Sequence, residues 1–229
     1  MEAIILAGGF GTRLRSIISN VPKPMAPIKD VPFLKYILDY LIDNNINRVI
    51  LAVGYKWEII EQYFGNQYKE LELAYSIENE PLGTGGAIKQ ALEMCQTEDL
   101  FIINGDTYFN VDLIAMRQSH LNNKADLTIA TKLMINFDRY GKVVVEKERI
   151  IDFEEKQFNT EGLINGGIYL CKKDSLAHIN MTKFSFEKDF MEKEITNKKI
   201  MSFESHEYFI DIGIPEDYRK FEKEMCFFE

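Results

Sequence analysis

Short apolar runs alternate with helix-like segments along the first 131 residues, and this rhythm limits the fold more than any other feature. The runs are typical of buried strands, and they lie at residues 3–7, 48–53, 71–77, 100–103 and 127–131. Apolar residues at helical spacing separate them, at 33–41, 57–64, 86–94 and 111–121. Such alternation implies βαβ units. We therefore expect an α/β, doubly wound, mixed but mainly parallel sheet with helices on both faces.

The rhythm changes after about residue 140. Apolar runs at 143–145, 150–153 and 163–170 follow one another quickly, which indicates added antiparallel strands. A helical stretch (186–196), two short strands (201–203 and 208–211) and a charged helix (216–225) come next. No linker rich in Gly, Ser or Pro and no fixed-period repeat interrupts the chain. We expect one domain over residues 1–229, with a second half that starts at about residue 136.

Charge and cysteine content exclude several kinds of partner. The 36 acidic residues outnumber the 27 basic ones, and a net charge of -9 argues against nucleic acid or an acidic membrane as the main partner. No apolar run reaches the roughly 20 residues of a membrane helix, and no secretory signal is apparent. The three cysteines lack zinc-site spacing, so reduced thiols and a cytoplasmic location are expected. The three histidines, His120, His178 and His206, are expected at the surface.

A glycine-rich loop follows the first strand, with the sequence LAGGFGTRL from residue 6 to residue 14. Glycines let backbone N–H groups approach a phosphate, and Arg13 can grip a triphosphate with its planar fork of donors. The dinucleotide pattern GxGxxG fails at Leu14, and Gly141-Lys142 lacks the Ser or Thr of a P-loop. A tight turn without a ligand is the alternative. The residues expected at a bound nucleotide are Leu6, Ala7, Gly8, Gly9, Gly11, Thr12 and Arg13.

Lys23 lies between two prolines in the segment VPKPM. Pro22 and Pro24 restrict the backbone on either side, so the ammonium group would be aimed at a fixed point. A solvated lysine in a rigid loop is the alternative for this short motif taken alone.

Together these motifs resemble the sugar-phosphate nucleotidyltransferases, also called NDP-sugar pyrophosphorylases. The family opens with LAGGxGTRLxP…PKPM, and this chain departs from it at Ser16. Further resemblances are EPLGTGG (80–86), NGD (104–106), EKQ (155–157), LINGGIY (163–169) and DIGIP (211–215), with Gln157 in place of the family's proline. The resemblance covers nearly all of the chain. It implies a Rossmann-like nucleotidyltransferase fold without a β-helix tail, in which a nucleotide-binding half (about 1–135) precedes a sugar-side half (about 136–229).

The resemblance also implies the reaction, which is attack by a sugar 1-phosphate oxygen on the α-phosphorus of a nucleoside triphosphate. Asp106 and Asp211 each end an apolar strand, where the ligand crevice of an open α/β sheet lies. Two carboxylates there suit one Mg²⁺. Taken separately, each aspartate could instead cap a turn. The expected catalytic residues are Arg13, Lys23 and Asp106, with Mg²⁺ held by Asp106 and Asp211.

The remaining motifs are expected to bind the base and the sugar phosphate. Glu80, or as a second choice Glu78, would accept hydrogen bonds from the two adjacent N–H donors of guanine, which favours GTP; a solvent-facing acid is the alternative. The other expected nucleotide contacts are Pro81, Gly83 and Thr84. The expected sugar-phosphate contacts are Tyr108, Glu155, Lys156, Asn165 and Gly166, although Tyr108 could equally pack in the core and Asn165-Gly166 could form a simple turn.

Within the family, the sequence as a whole is most similar to bacterial guanylyltransferases of a manno-configured heptose 1-phosphate, which supply GDP-heptose for capsule, lipopolysaccharide or S-layer glycans. Mannose 1-phosphate guanylyltransferases and the uridylyl-, thymidylyl- and cytidylyltransferases of hexose phosphates are the alternatives. A catalytically silent NDP-sugar-binding module is an alternative of a different class. Such relatives usually lose the loop arginine, the lysine between the prolines or a metal-binding aspartate, whereas this chain has Arg13, Lys23, Asp106 and Asp211. The sequence leaves a monomer and a homo-oligomer both open.

Overall fold

The computed structural model describes residues 1–9, 14 and 21–224, which form a mixed α/β structure. The strands are β1 (Glu2–Leu6), β2 (Pro27–Ile28), β3 (Val31–Pro32), β4 (Arg48–Val53), β5 (Gln67–Tyr68), β6 (Leu71–Ile77), β7 (Asp99–Asn104), β8 (Thr107–Phe109), β9 (Leu127–Phe137), β10 (Lys142–Glu146), β11 (Arg149–Glu154), β12 (Asn159–Lys172), β13 (Ile200–Glu204) and β14 (Phe209–Asp211). The helices are α1 (Phe33–Asp43), α2 (Trp57–Phe64), α3 (Gly83–Leu92), α4 (Leu113–Asn123), α5 (Glu192–Glu194) and α6 (Pro215–Glu224), with a 3₁₀ turn at Lys23–Met25 and a π-helical segment at Phe186–Met191.

One sheet of ten strands spans both halves of the chain, in the order β10-β11-β13-β9-β12-β7-β1-β4-β6-β5. Strands β7, β1, β4 and β6 are parallel neighbours, as the alternation of strands and helices predicts. Strand β12 runs antiparallel to both β7 and β9 and thereby joins the two halves. The mixed sheet is confirmed, but its parallel pairs lie mainly in the first half. Connections as short as residues 147–148 can join only antiparallel strands.

Helices cover both faces of the sheet, as expected. Consecutive side chains of a strand point to opposite faces, and Ile5 packs in one buried cluster while Ile4 packs in the other. Helices α1, α2, α4 and α6 contribute to the cluster of Ile5. Helix α3 and the π-helical segment contribute to the cluster of Ile4. Both faces of the central strands are therefore buried, which explains why β1 and β4 have nearly continuous apolar sequences.

Several boundaries differ from the sequence expectation, and two of the larger differences concern α3 and β9. Helix α3 starts at Gly83 and not at residue 86, so the glycines of the GTGG motif lie in its first turn. Strand β9 continues from residue 131 to Phe137, because its second part pairs with the beginning of β12. No helix in the described part of the chain is both long and apolar enough to span a membrane.

His120 corrects the expectation that all three histidines are at the surface. It is 2% exposed, and its Nδ1 atom lies 2.8 Å from the Thr128 hydroxyl. Its Nε2 atom is buried without a hydrogen-bond partner. Burial lowers the pKa of this imidazole, because transfer from water disfavours the charged form. The sequence did not indicate this burial, because His120 follows Arg117, Gln118 and Ser119 in a polar part of α4.

Candidate active site

Two cavities share a wall at the carboxyl ends of β1 and β7. The smaller one has a volume of about 320 Å³ and the larger one about 500 Å³. The smaller cavity contains the glycine loop of the first half, and the larger one is lined mainly by the second half. The residues that line both cavities are Gly9, Lys23, Asn104, Asp106 and Glu187. A group bound in one cavity would therefore meet a group bound in the other beside Lys23 and Asp106.

The glycine loop lines the smaller cavity with four of the residues predicted to bind a nucleotide, namely Leu6, Ala7, Gly8 and Gly9. A β-carbon on Gly8 would lie 2.7 Å from Oε1 of Glu78, so any larger residue here would require the Glu78 carboxylate to move. A β-carbon on Gly9 would meet no atom within 4 Å, because this residue faces open space. The predicted residues Gly11, Thr12 and Arg13 lie outside the described residues.

Lys23 begins a rigid 3₁₀ turn and reaches the wall between the cavities. Pro22 precedes the turn, and the Met25 N–H donates to the Pro22 carbonyl at 2.8 Å. The Lys23 side chain is only 13% exposed. Its ammonium donates to Oδ2 of Asp106 and lies 3.7 Å from Oδ1 of Asp211. The proline-flanked lysine is thus aimed at a fixed point, as its sequence suggested.

The two predicted metal ligands, Asp106 and Asp211, lie side by side although 105 residues separate them in the sequence. Asp106 follows β7 through Gly105, whose N–H donates to the Leu6 carbonyl at 3.0 Å. Strand β14 pairs with β8 so that Asp211 is opposite Thr107, and the Ile212 N–H donates to the Asp106 carbonyl at 3.0 Å. This short antiparallel pair is what brings the second aspartate to the end of β7.

Burial raises the pKa of the Asp211 carboxyl, and the negative charge of Asp106 raises it further, while Lys23 opposes both effects. Two carboxylates that repel one another form an environment that a divalent cation stabilises. Within residues 1–9, 14 and 21–224, no cluster of three or more acidic, histidine or cysteine side chains surrounds one point. The pair therefore fits an ion such as Mg²⁺, which binds through one or two carboxylates and takes its other ligands from water and phosphates.

Glu78 lines the smaller cavity, whereas Glu80, the first choice for the base contact, is not among the residues that line it. The Glu78 N–H donates to the Val53 carbonyl at 2.8 Å, which keeps this residue against β4 and the glycine loop. Its Oε2 accepts the Leu82 N–H at 2.9 Å, and burial raises the pKa of its carboxyl. Glu80 is exposed and lies in a bend after the end of β6.

The first turn of α3 connects the smaller cavity to the segment before the π-helix. The predicted contacts Pro81, Gly83 and Thr84 all line this cavity. The Thr84 hydroxyl accepts the Phe186 N–H at 2.8 Å and donates to Glu187 at 2.8 Å. Gly83 has a φ of +71° and lies close to the Phe184 carbonyl. The glycines of this motif thus allow close packing of two segments as well as the approach of a ligand.

Four of the five predicted sugar-phosphate contacts line the larger cavity, namely Glu155, Lys156, Asn165 and Gly166. Asn165 donates through Nδ2 to the Tyr169 hydroxyl at 3.0 Å and accepts the Gly167 N–H at 2.9 Å, so its amide is held in one orientation. Gly166 packs against the Phe109 ring, where a β-carbon would lie 2.6 Å from the nearest ring atom. Glu155 and Lys156 are exposed at the cavity rim.

Tyr108, the fifth residue, is not among the residues that line either cavity. Strand β8 places Thr107 in the larger cavity, and the next side chain must point to the opposite face. Tyr108 packs edge-on against Tyr40 at 5.9 Å between ring centroids and lies 5.8 Å from the ring of Phe221. It is a partly buried residue packed against the core, which agrees with the alternative interpretation of the sequence.

Sequence reasoning missed six charged side chains of the larger cavity, namely Arg139, Lys142, Glu154, Glu187, Lys188 and Glu192. Arg139 lies in the connection between β9 and β10 and Lys142 begins β10, so the sequence RYGK could have been noted as a pair of cations at the start of a strand. Glu187 gave no usable signal, since it is one of several acids in a charged stretch.

The geometry agrees with the comparisons with known proteins. Residues 2–226 match the Nucleotidyl transferase family, and the chain belongs to that family. It is 55% identical over 226 residues to the D-glycero-α-D-manno-heptose 1-phosphate guanylyltransferase of Aneurinibacillus thermoaerophilus, with 98% of each chain covered. It is 49% identical to the enzyme of the same name from Campylobacter jejuni, with 96% of this chain and 98% of the other covered. Among solved structures, HddC from Yersinia pseudotuberculosis complexed with GMP-PN superimposes with a TM-score of 0.88 at 38% identity, covering 98% of this chain and 99% of that one.

Proposed function

We propose that this protein transfers a guanylyl group from GTP to D-glycero-α-D-manno-heptose 1-phosphate, which gives GDP-heptose and pyrophosphate for bacterial surface glycans. The observation that carries the proposal is the wall between the two cavities, where Lys23, Asp106 and Asp211 lie together. Identities of 55% and 49% to heptose 1-phosphate guanylyltransferases over nearly the whole chain support this choice of substrates.

The main task of this site is to let two phosphate groups approach each other. Lys23 would leave Asp106 and bridge the α-phosphate and the attacking phosphate, which it can do because it lines both cavities. Asp106 and Asp211 would hold Mg²⁺, which when bound would supply Lewis-acid stabilisation of charge on the α-phosphate. Arg13 would stabilise the leaving pyrophosphate. No described residue needs to form a covalent intermediate.

The remaining residues would position the two substrates. Lys156 would bind the sugar phosphate from the rim, and Glu155, Asn165 and Gly166 would face the sugar hydroxyls. Glu78 would accept hydrogen bonds from N1–H and N2–H₂ of guanine, which would compensate its partial burial. Pro81, Gly83 and Thr84 would line the nucleotide. The two described cysteines, Cys95 and Cys171, are free thiols, which supports a reducing, cytoplasmic location.

The test is a matrix of five nucleotides (ATP, GTP, CTP, UTP and dTTP) against several sugar 1-phosphates, with pyrophosphate release as the readout. We expect GTP with the manno-configured heptose 1-phosphate to give the highest kcat/KM. A higher value with mannose 1-phosphate would assign the protein to the mannose enzymes, and preference for UTP or dTTP would contradict the role of Glu78. Pyrophosphate release with no pair would indicate a silent NDP-sugar-binding module.

A further inference from the structure

Arg139 is the one arginine among the residues that line the larger cavity in the described part of the chain. It lies between β9 and β10, next to Tyr140, and its side chain is 35% exposed. None of the roles assigned above uses it. Its position raises the question of which anion a guanidinium group would meet on this side of the site.

The contacts of Arg139 connect it to the metal-binding pair. Its Nη1 donates to Oδ2 of Asp217 at 2.6 Å, and its Nη2 donates to the Tyr140 hydroxyl at 3.2 Å. Nη2 also lies 3.9 Å from Oδ2 of Asp211. Lys23 approaches the other oxygen of the same carboxylate, Oδ1, at 3.7 Å. Lys23 and Arg139 therefore flank the Asp211 carboxylate. Lys23 lines both cavities, whereas Arg139 lines only the larger one.

A sugar 1-phosphate bound in the larger cavity would need a cation such as Arg139 near its phosphate. Its phosphate must come close to two carboxylates, and the ammonium of Lys23 is shared with the nucleotide side. Lys156 is exposed at the rim, so its charge is screened by water. A guanidinium has five N–H donors in a planar fork that matches phosphate oxygens, and the two hydrogen bonds given above use two of them.

We propose that Arg139 binds the phosphate of the sugar 1-phosphate beside Asp211, and that Asp217 is the carboxylate the phosphate displaces; this rests on the proposed function. Asp217 belongs to α6 and holds the guanidinium in place when no phosphate is bound. Replacing Asp217 by Asn keeps an oxygen acceptor for Nη1 but removes the competing negative charge. The two partners of one ion pair should therefore respond oppositely to mutation.

The experiment measures KM for the heptose 1-phosphate, KM for GTP and the melting temperature of four variants. Arg139→Gln should raise the sugar-phosphate KM roughly tenfold to a hundredfold, as expected for a lost hydrogen bond to a charged group, and change the GTP KM less than about twofold. Arg139→Lys should give an intermediate KM. Asp217→Asn should leave the sugar-phosphate KM unchanged or lower it. Arg149→Gln, which removes an exposed arginine of β11 outside the cavity, is the control and should match the wild type.

A purely structural ion pair predicts something different. Arg139→Gln and Asp217→Asn would then lower the melting temperature together and change both KM values in parallel, and that result would overturn the proposal. If the wild type releases no pyrophosphate with any substrate pair, the proposed function fails instead. Calorimetric titration of the wild type and Arg139→Gln with the sugar 1-phosphate then decides, since equal binding by both would refute the role of Arg139.

Discussion

Glu78→Gln tests the nucleotide specificity of this site with the smallest change in shape. The Leu82 N–H donates to Oε2 of Glu78 at 2.9 Å, and a glutamine carbonyl can accept the same bond. The amide nitrogen then takes the place of Oε1, the oxygen that lies over Gly8 and the smaller cavity. The loop should therefore stay folded while one acceptor for guanine becomes a donor.

The expected decrease in kcat/KM for GTP follows from the hydrogen bond to guanine that Glu78→Gln removes. A hydrogen bond to a charged group contributes about 1.5–3 kcal/mol, and about 1.4 kcal/mol corresponds to a tenfold change. We expect kcat/KM for GTP to fall roughly a hundredfold, because one such bond is lost and two donors then face each other. The melting temperature should change little, since the loop hydrogen bond remains.

Inosine triphosphate makes the assay specific, because its base lacks the N2 amino group of guanine. We expect the wild type to favour GTP over ITP by about tenfold in kcat/KM, and Glu78→Gln to reduce that preference to less than about threefold. Glu80→Gln is the matched control, because Glu80 is exposed. If Glu80→Gln lost the preference for GTP and Glu78→Gln kept it, the base would lie at Glu80 and the assignment made from the cavity would be refuted.

Three further predictions concern the metal ligands, the glycine motif and the buried histidine. Asp106→Asn and Asp211→Asn should each lower kcat by about a thousandfold or more, since each would remove one of the two carboxylates proposed to hold the cation, and near-normal pyrophosphate release would contradict this role. Gly86→Ala should lower the free energy of unfolding by about 1–3 kcal/mol, because its β-carbon would lie 2.3 Å from the Thr182 carbonyl, whereas Gly9→Ala should leave it unchanged in urea denaturation. The pKa of His120 in the folded protein lies below the ordinary value of 6.5, so the unfolded chain binds the proton more readily. The contribution of neutral His120 to the free energy of unfolding should be fully present above pH 6.5 and decrease as the pH falls below it. The melting temperature of His120→Gln should therefore depend less steeply on pH than that of the wild type, and equal slopes would refute the assignment.

Much of the fold could be predicted because burial leaves a clear sequence pattern. Strands β4 and β6 have the predicted limits. After Arg48, β4 is an apolar run that is buried on both faces, whereas β6 was indicated by partial alternation of apolar and polar residues. The meeting of Asp106 and Asp211 was also foreseeable, because each follows a short apolar run. What the sequence left out is that β14 pairs with β8, a long-range contact without a local signal.

The errors arose where a shift of one or two residues decides which way a side chain points. Tyr108 is next to a residue of the cavity, but alternation along β8 turns it into the core. Glu80 and Glu78 are both acids near the same motif, but Glu80 is exposed in a bend, whereas Glu78 lines the smaller cavity. Arg139 was missed for another reason, because its importance depends on partners in β14 and α6 that are far away in the sequence.

The order of charges along the wall explains how one site can bring anions together. Arg139, Asp211, Lys23 and Asp106 follow one another with alternating sign, so each carboxylate lies beside a cation. Incoming phosphates add negative charge and a divalent cation adds positive charge, so the new charges can be balanced only if the lysine and arginine exchange carboxylates for phosphate oxygens. Lys23 can do so without a large rearrangement of the backbone, because two prolines hold its main chain while its side chain turns between the two cavities. On the sugar side Arg139 would exchange Asp217 for a phosphate oxygen, and Lys23 would exchange Asp106 for one, so that Asp106 and Asp211 are left to the metal ion when the phosphates meet.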